Sequence, residues 1–255
     1  MNNAIYGDLV AWYDLLDPCA DHADEVGAFR KALLGALGTG PEPGQATRPT
    51  LLELGAGAGN NAFHLKSVFQ CTLSDLSEPM LGLSRAQNPS CEHVAGDMRT
   101  LRLGRTFDAV VVHDAIAYMQ TEADLRAAVD TAFLHTRPGG AAIFAPDCTR
   151  ETFEEQSQLH EGNDGDRSLR CLEWMWDPDP GDTTYTVEYA FLLRRGTEMK
   201  AVHDRHVEGL FPKATWEQIL RDAGFTVETI RRPLGDAEHI DAFADEVFLA
   251  RRPEP

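Results

Sequence analysis

Thr50-Leu51-Leu52-Glu53-Leu54-Gly55-Ala56-Gly57-Ala58-Gly59-Asn60-Asn61 begins as a short apolar run and breaks into three glycines at alternate positions. Ala62-Phe63-His64-Leu65-Lys66 then has the character of a helix start. A strand that enters a helix through glycines lets backbone approach a ligand where a Cβ would clash. The dinucleotide-binding pattern needs a glycine at position 60, and Asn60 stands there instead. The spacing is G-x-G-x-G with Glu53 just ahead of it. It points away from NAD and toward a nucleoside ligand without a pyrophosphate.

Outward from that turn, strand and helix alternate. Residues 70–74 form a second strand ended by Asp75. Ser77-Glu78-Pro79-Met80 opens a helix, with Ser77 as N-cap and Pro79 in the first turn, where proline costs little. Residues 91–95 give a third strand ending at Gly96-Asp97-Met98, and residues 107–112 a buried fourth. A helix over 122–135 leads through Arg137-Pro138-Gly139-Gly140 to a fifth strand at 141–145. Upstream, Ile5, Leu9, Trp12, Tyr13 and Leu16 recur at helical spacing over residues 4–16 until Pro18. A second helix covers 23–37, and the Gly- and Pro-rich stretch 38–49 reads as a loop. Alternating strands and helices imply an α/β protein of parallel βαβ units with helices on both faces.

The rhythm changes after Pro146. Residues 149–182 are polar and read as irregular, with Gly162-Asn163-Asp164-Gly165-Asp166 as the most turn-like point. Residues 183–193 alternate as an antiparallel strand would, Gly196 lies in a turn, and 199–210 can pair back as a hairpin. A helix at 215–223 and strands at 225–231 and 246–251 close the chain. The expected division is a main domain of residues 1–146 and 211–255, whose first 40 residues form a helical lid. Residues 147–210 are then a β insertion over the sheet's carboxyl edge.

The chain of 255 residues has a net charge of −18, with 43% apolar and 25% charged residues. That charge argues against nucleic acid and anionic membranes as partners. Cys19, Cys71, Cys91, Cys148 and Cys171 are odd in number, scattered and without C-x-x-C spacing, as reduced intracellular thiols are. No His/Cys/Glu cluster has metal-ligand spacing, so no metal is expected. Ser74 and Ser77 lack the G-x-S-x-G elbow of hydrolases. The N-terminus lacks a basic region followed by an apolar core, and no apolar run approaches a membrane span. A small-molecule enzyme in the cytoplasm, as monomer or homodimer, is the expectation.

In an open parallel sheet, ligands bind beyond the carboxyl ends of the strands. Those ends carry Glu53 to Gly59, Asp75, Asp97-Met98, His113-Asp114 and Asp147. Asp75 follows the glycines by about twenty residues, where a carboxylate accepts both ribose hydroxyls; a helix-capping Asp is the plain alternative. Asp97 can accept from an exocyclic amine while Met98 covers an adenine face, or Asp97 is only a turn residue. Met80 packs either on adenine or in the core.

Glu53-Leu54-Gly55-Ala56-Gly57-Ala58-Gly59, Asp75-Leu76-Ser77-Glu78-Pro79-Met80-Leu81, Gly96-Asp97-Met98 and Arg137-Pro138-Gly139-Gly140 resemble the successive motifs of class I S-adenosylmethionine-dependent methyltransferases. The resemblance spans residues 50–146 and 213–252. It implies a Rossmann-like, doubly wound, seven-stranded sheet, mostly parallel with one antiparallel strand. It also implies S-adenosyl-L-methionine as cofactor and S-adenosyl-L-homocysteine as product. The cofactor residues it implies are Glu53, Gly55, Ala56, Gly57 and Gly59 at the methionine, Asp75 and Leu76 at the ribose, and Met80, Gly96, Asp97 and Met98 at the adenine. Tyr13 and His113 complete that set. An N-terminal aromatic segment (Tyr6, Trp12, Tyr13) and a His-x-x-x-Leu-Phe stretch from His206 to Phe211 resemble amino-sugar N-methyltransferases of antibiotic pathways more closely. The strand exit His113-Asp114-Ala115-Ile116-Ala117-Tyr118-Met119 and the run Trp174-Met175-Trp176 depart from those enzymes.

Methyl transfer from a sulfonium is an in-line displacement that needs alignment, exclusion of water and, for an amine or hydroxyl, removal of a proton. His113, at a strand's carboxyl end, is the first base candidate, with Asp114 to orient it or to bind a substrate cation; lining the pocket through its backbone is the alternative. His206 is the second base candidate, and His203, three residues away, points to the opposite face of a strand. Tyr6, Tyr118, Trp174 and Trp176 are candidate substrate contacts, the tryptophans as an aromatic wall or as packing beneath the insertion. The acceptor atom is N or O of a small molecule. The competing expectations are a catalytically inactive S-adenosylmethionine-binding partner or regulator of the same fold, and an NAD-dependent oxidoreductase that Asn60 disfavours.

Overall fold

A computed structural model of the protein describes residues 3–38, 48–231 and 246–255. The loop expected over 38–49 lies mostly outside them. Seven strands make the main sheet: β1 (Thr50–Leu54), β2 (Gln70–Asp75), β3 (Glu92–Ala95), β4 (Phe107–His113), β5 (Thr136–Ala145), β10 (Thr226–Arg231) and β11 (Glu246–Arg251). Their order is β10-β11-β5-β4-β1-β2-β3. β11 runs antiparallel to both its neighbours, and the remaining pairs are parallel. This is the expected mixed sheet, with its single reversed strand.

The central strands are apolar along their whole length because both faces are covered. Ala109, Val110, Val111 and Val112 of β4 are fully buried. Val110 and Val112 pack with Leu52, Leu54 and Phe144 beneath the helices α5 (Glu122–His135) and α6 (Lys213–Asp222). Val111 packs with Leu51, Leu73 and Ile143 on the other face, under Val26, Phe29 and Leu33 of α2 (Ala23–Leu37) and Leu65 of α3 (Asn60–Leu65). The remaining crossover helix, α4 (Glu78–Gln87), starts as expected, with the Met80 N–H donating to Ser77 Oγ at 3.3 Å. Among the described residues no helix is long and apolar enough to cross a membrane.

Four further strands form a second, antiparallel sheet in chain order: β6 (Gln156–Asp164), β7 (Arg167–Trp176), β8 (Thr184–Arg195) and β9 (Glu198–Gly209). The β8–β9 hairpin matches expectation. The β6–β7 hairpin does not, since residues 149–182 read as irregular. Its turn is the Gly165 region singled out from the sequence, with Gly165 at φ 57°. β6 is an edge strand whose inward side chains, Gln156, Gln158 and His160, face a cavity and not a core. An apolar alternation therefore has no reason to exist there.

Residues 4–16 are not one helix. They form two 3-10 turns, Ala4–Tyr6 and Val10–Trp12, followed by α1 (Tyr13–Leu16). The broken path lets Ile5, Leu9 and Leu15 pack against Leu169, Cys171, Phe191 and Leu193 of the second sheet. The approach is close at Gly162, where an added Cβ would come within 2.3 Å of the Leu15 carbonyl. The aromatic segment is thus fastened to the second sheet, while α2 belongs to the first.

Candidate functional site

Gly55, Gly57 and Gly59 all adopt positive φ, at 78°, 51° and 79°. The N–H groups of Gly55 and Ala56 both donate to the Ser74 carbonyl, at 2.8 and 2.9 Å, and lock the turn onto β2. The Gly57 N–H donates to Asp75 Oδ2 at 2.8 Å and the Ser77 N–H to Asp75 Oδ1 at 2.7 Å. Each Asp75 oxygen keeps acceptor capacity for a ligand hydroxyl. Burial raises the Asp75 pKa, and the backbone donors at Ser77 and Gly57 oppose it. An added Cβ on Gly55 would lie 2.4 Å from Ala115 Cβ, so only glycine lets the β1 exit pass the β4 exit.

Beyond these strand ends lies a cavity of about 810 Å³, closed on the far side by the second sheet. The structure brings Gly55, Ala56, Gly57, Asp75, Leu76, Met80, Gly96, Asp97, Met98, His113 and Tyr13 to its wall, together with Asp114, Tyr6, Tyr118 and His206. Glu53 and Gly59 do not reach it. Glu53 is 1% exposed and accepts from Asn61 Nδ2 at 2.9 Å; burial pushes its carboxyl up to about 7. Gly59 caps α3, and its carbonyl accepts from Asn88 Nδ2 at 2.9 Å. Both residues brace the turn from behind.

Trp174 and Trp176 are also absent from the cavity wall, because the two-residue period of β7 gives the inward positions to Glu173 and Met175. The two rings stack on each other at 5.8 Å, and Trp174 Nε1 donates to Glu155. Asp97 is at the wall, but its carboxylate is gripped by the Arg99 guanidinium at 2.6 Å, and this pairing holds its pKa below the usual range.

His113 is buried in a polar knot. Its Nε2 lies 2.8 Å from Asp114 Oδ1 and 3.2 Å from Glu25 Oε1, and its Nδ1 is 3.0 Å from Asn61 Nδ2. Burial alone would disfavour the imidazolium, but the Asp114 and Glu25 carboxylates outweigh it and raise its pKa well above 6.5. Nε2 is tied to Asp114 and Glu25 and Nδ1 to the Asn61 amide, so neither ring nitrogen is turned toward an acceptor, and this position argues against the base role expected from the sequence. Asp114 adopts φ 41°, which is strained for a residue with a Cβ. His22, Glu25 and His113 also bring metal-capable atoms within 4.8 Å of one another. No sequence spacing announces that trio, since two members come from the α2 region and one from β4. His22 is already engaged by Asp17 at 2.7 Å.

His206 is the opposite case. It is 1% exposed, and burial, partly opposed by Asp204, lowers its pKa, so the neutral imidazole prevails. Its Nε2 faces Asp204 Oδ2 at 3.2 Å and its Nδ1 faces Tyr118 OH at 2.7 Å, with Tyr6 OH a further 2.9 Å from Tyr118 OH. His203 points away and pairs with Glu188 at 2.6 Å. The hydroxyl–hydroxyl–imidazole–carboxylate line joins the N-terminal segment, the β4 exit and β9.

Residues 51–140 match the family model described as a methyltransferase domain. An N,N-dimethyltransferase of dTDP-3-amino-3,4,6-trideoxy-α-D-glucopyranose from Streptomyces venezuelae is 31% identical over 183 residues, covering 70% of this chain and 76% of the relative. The chain belongs to the class I S-adenosylmethionine-dependent methyltransferases. An N,N-dimethyltransferase of dTDP-3-amino-3,6-dideoxy-α-D-glucopyranose from Streptomyces fradiae is 33% identical, over 70% of this chain and 71% of its own. The crystal structure of Streptomyces venezuelae DesVI superposes with a TM-score of 0.80 at 25% identity, over 97% of this chain and 98% of that one. An amino-pentose methyltransferase from Micromonospora echinaspora, solved with S-adenosylmethionine bound, shares the fold with a TM-score of 0.75 at 21% identity, over 96% of each chain.

This methyltransferase carries site residues that the sequence did not announce. Asp17, His22 and Asn60 line the cavity near the glycine turn, and Glu173, Tyr189 and Glu208 line its far side. Asp17 connects the first two by bonding both, at 2.7 Å to His22 and 3.1 Å to Asn60. Asn60 carried a signal, since it replaces the glycine of another motif. Glu173, Tyr189 and Glu208 occupy alternate, inward-facing strand positions that become informative only once register is known.

Proposed function

We propose that this methyltransferase methylates the nitrogen of an amine on a small molecule. The main sheet, residues 1–146 and 211–255, holds the cofactor, and residues 147–210 hold the acceptor. The observation that supports this reading is that one cavity is bounded by Asp75 and the glycine turn on one side and by the His206–Tyr118–Tyr6 line on the other. The names of the two curated relatives, both N,N-dimethyltransferases of amino sugars, support nitrogen over oxygen.

S-adenosylmethionine, when bound, supplies a methyl group already activated on a sulfonium. The residues present suit it. The turn offers open backbone at Gly57, Asp75 keeps acceptor sites for the ribose hydroxyls, and Met80 and Met98 offer apolar walls. Asp97 takes part mainly by fixing Arg99, and adenine recognition falls chiefly to the backbone around Met98. Tyr6 and Tyr13, fastened to the second sheet, cover the methionine end. An ammonium must lose its proton before it attacks. His206 receives that proton through Tyr118, with Asp204 holding the tautomer. As positive charge passes to the nitrogen, carboxylates across the cavity stabilise it. Asp114 pairs with His113 and shapes the β4 exit.

Replacing His206 by Asn tests the base. Turnover near neutral pH falls about 100-fold while S-adenosylmethionine affinity is kept, and the deficit narrows as pH rises and solvent deprotonates the amine. Equal turnover by the variant and the parent at neutral pH contradicts the assignment.

A further inference from the structure

Charge is distributed unevenly around the cavity. Among the described residues, eight carboxylate side chains line it, against one guanidinium and no lysine. That guanidinium, Arg99, is paired with Asp97 at 2.6 Å and Asp124 at 2.9 Å. The acids on the glycine side face the cofactor's own positive charges. Glu173 and Glu208 do not, for they stand across the cavity on β7 and β9.

Between them lies an aromatic enclosure. The Tyr189 ring is 4.8 Å from the His206 ring, which is 5.7 Å from Tyr6, and Tyr6 is 5.9 Å from Tyr118. Carboxylates beside aromatic faces attract an alkylammonium and tolerate its methylated forms. They repel a diphosphate, whose binding depends on Arg, Lys or an open helix start. The helix start on this wall is already taken, because Ser77 Oγ accepts the Met80 N–H and Glu78 stands in the first turn. Gln156 and Gln158 of β6 provide amide partners for hydroxyl groups, and His160 Nε2 lies 2.6 Å from Glu173.

We infer that the acceptor is a free aliphatic amine on a hydroxyl-bearing scaffold without phosphate, and not a nucleoside-diphosphate sugar. This rests on the N-methyltransferase reading above and departs from the substrates named for the two Streptomyces relatives. Glu173 and Glu208 bind the ammonium, and Tyr6, Tyr118 and Tyr189 enclose it.

The test is calorimetry on the full chain loaded with S-adenosylhomocysteine, a step that itself checks the cofactor reading. It compares two probes with the same amine: the methyl glycoside of 3-amino-3,6-dideoxyglucose and dTDP-3-amino-3,6-dideoxyglucose. The expected result is at least tenfold tighter binding of the glycoside, lost in Glu173→Gln, whose S-adenosylhomocysteine affinity stays unchanged. Equal or tighter binding of the dTDP sugar, or binding of neither probe by the loaded protein, overturns the inference. Failure to load with S-adenosylhomocysteine would instead strike the functional reading beneath it.

Discussion

His113 and His206 show how position alone divides two identical side chains. Both are nearly inaccessible, but His113 meets Asp114 and Glu25 at 2.8 and 3.2 Å while His206 meets Asp204 at 3.2 Å, Glu208 only at 3.9 Å, and a phenol. One is driven toward the cation and the other toward neutrality. This makes a stability prediction with a definite sign. The folded-state pKa of His113 lies above its ordinary 6.5, so its pairing stabilises the fold fully below about pH 6.5 and is lost as pH rises through the folded value. Thermal unfolding of the parent and of His113→Gln should differ by about 3 kcal/mol or more on the acid side, with the gap closing toward alkaline pH. A gap independent of pH would show that His113 is not charged in the fold. From the sequence, both histidines were visible as candidates. Their ranking was not, since Glu25 and Tyr118 come to them through tertiary packing.

At the scale of elements, the glycine turn and the strands feeding it were legible because their physics is local. Three positive-φ positions demand glycine, and the central strands, covered on both faces, show unbroken apolar runs. β6 and the N-terminal segment were illegible for the converse reason. The inward face of β6 meets a cavity, so it carries Gln and His where a core strand would carry Val. Residues 4–16 have helical apolar spacing, but they satisfy it in three short turns against the second sheet. The turn itself offers a test. A Cβ at Gly59 would meet Asn88 Nδ2 and Ser84 Oγ at 2.4 Å, on a backbone at φ 79°. Gly59→Ala should therefore cost about 1–3 kcal/mol in unfolding free energy and weaken S-adenosylmethionine binding, although position 59 does not touch the cavity. Unchanged denaturant unfolding would mean the turn relaxes freely.

The whole molecule is two sheets facing each other across one cavity, with an aromatic segment that starts the chain yet is anchored to the sheet formed late in it. Through it one segment touches both walls of the cavity, for Tyr6 contacts Tyr118 of the β4 exit while Ile5 N–H donates to Asp204 of β9 at 3.2 Å. The parallel βαβ character of the main sheet followed from the alternation of elements in the sequence, and its single reversed strand from the family resemblance, but the strand order was not read. A β insertion over the sheet's carboxyl edge was expected, but not which of its side chains look into the cavity, because no local pattern records which strand face looks across a gap. The central claim is that a methyl group passes from the cofactor at the glycine turn to an amine held by the second sheet. Its most direct test is to follow an isotopically labelled methyl group from S-adenosylmethionine by NMR, with a hydroxylated amine as acceptor. The account predicts label on nitrogen, one or two methyl groups per acceptor, with an equal amount of S-adenosylhomocysteine. Label on oxygen, or no S-adenosylhomocysteine beyond the amine-free background, would contradict it.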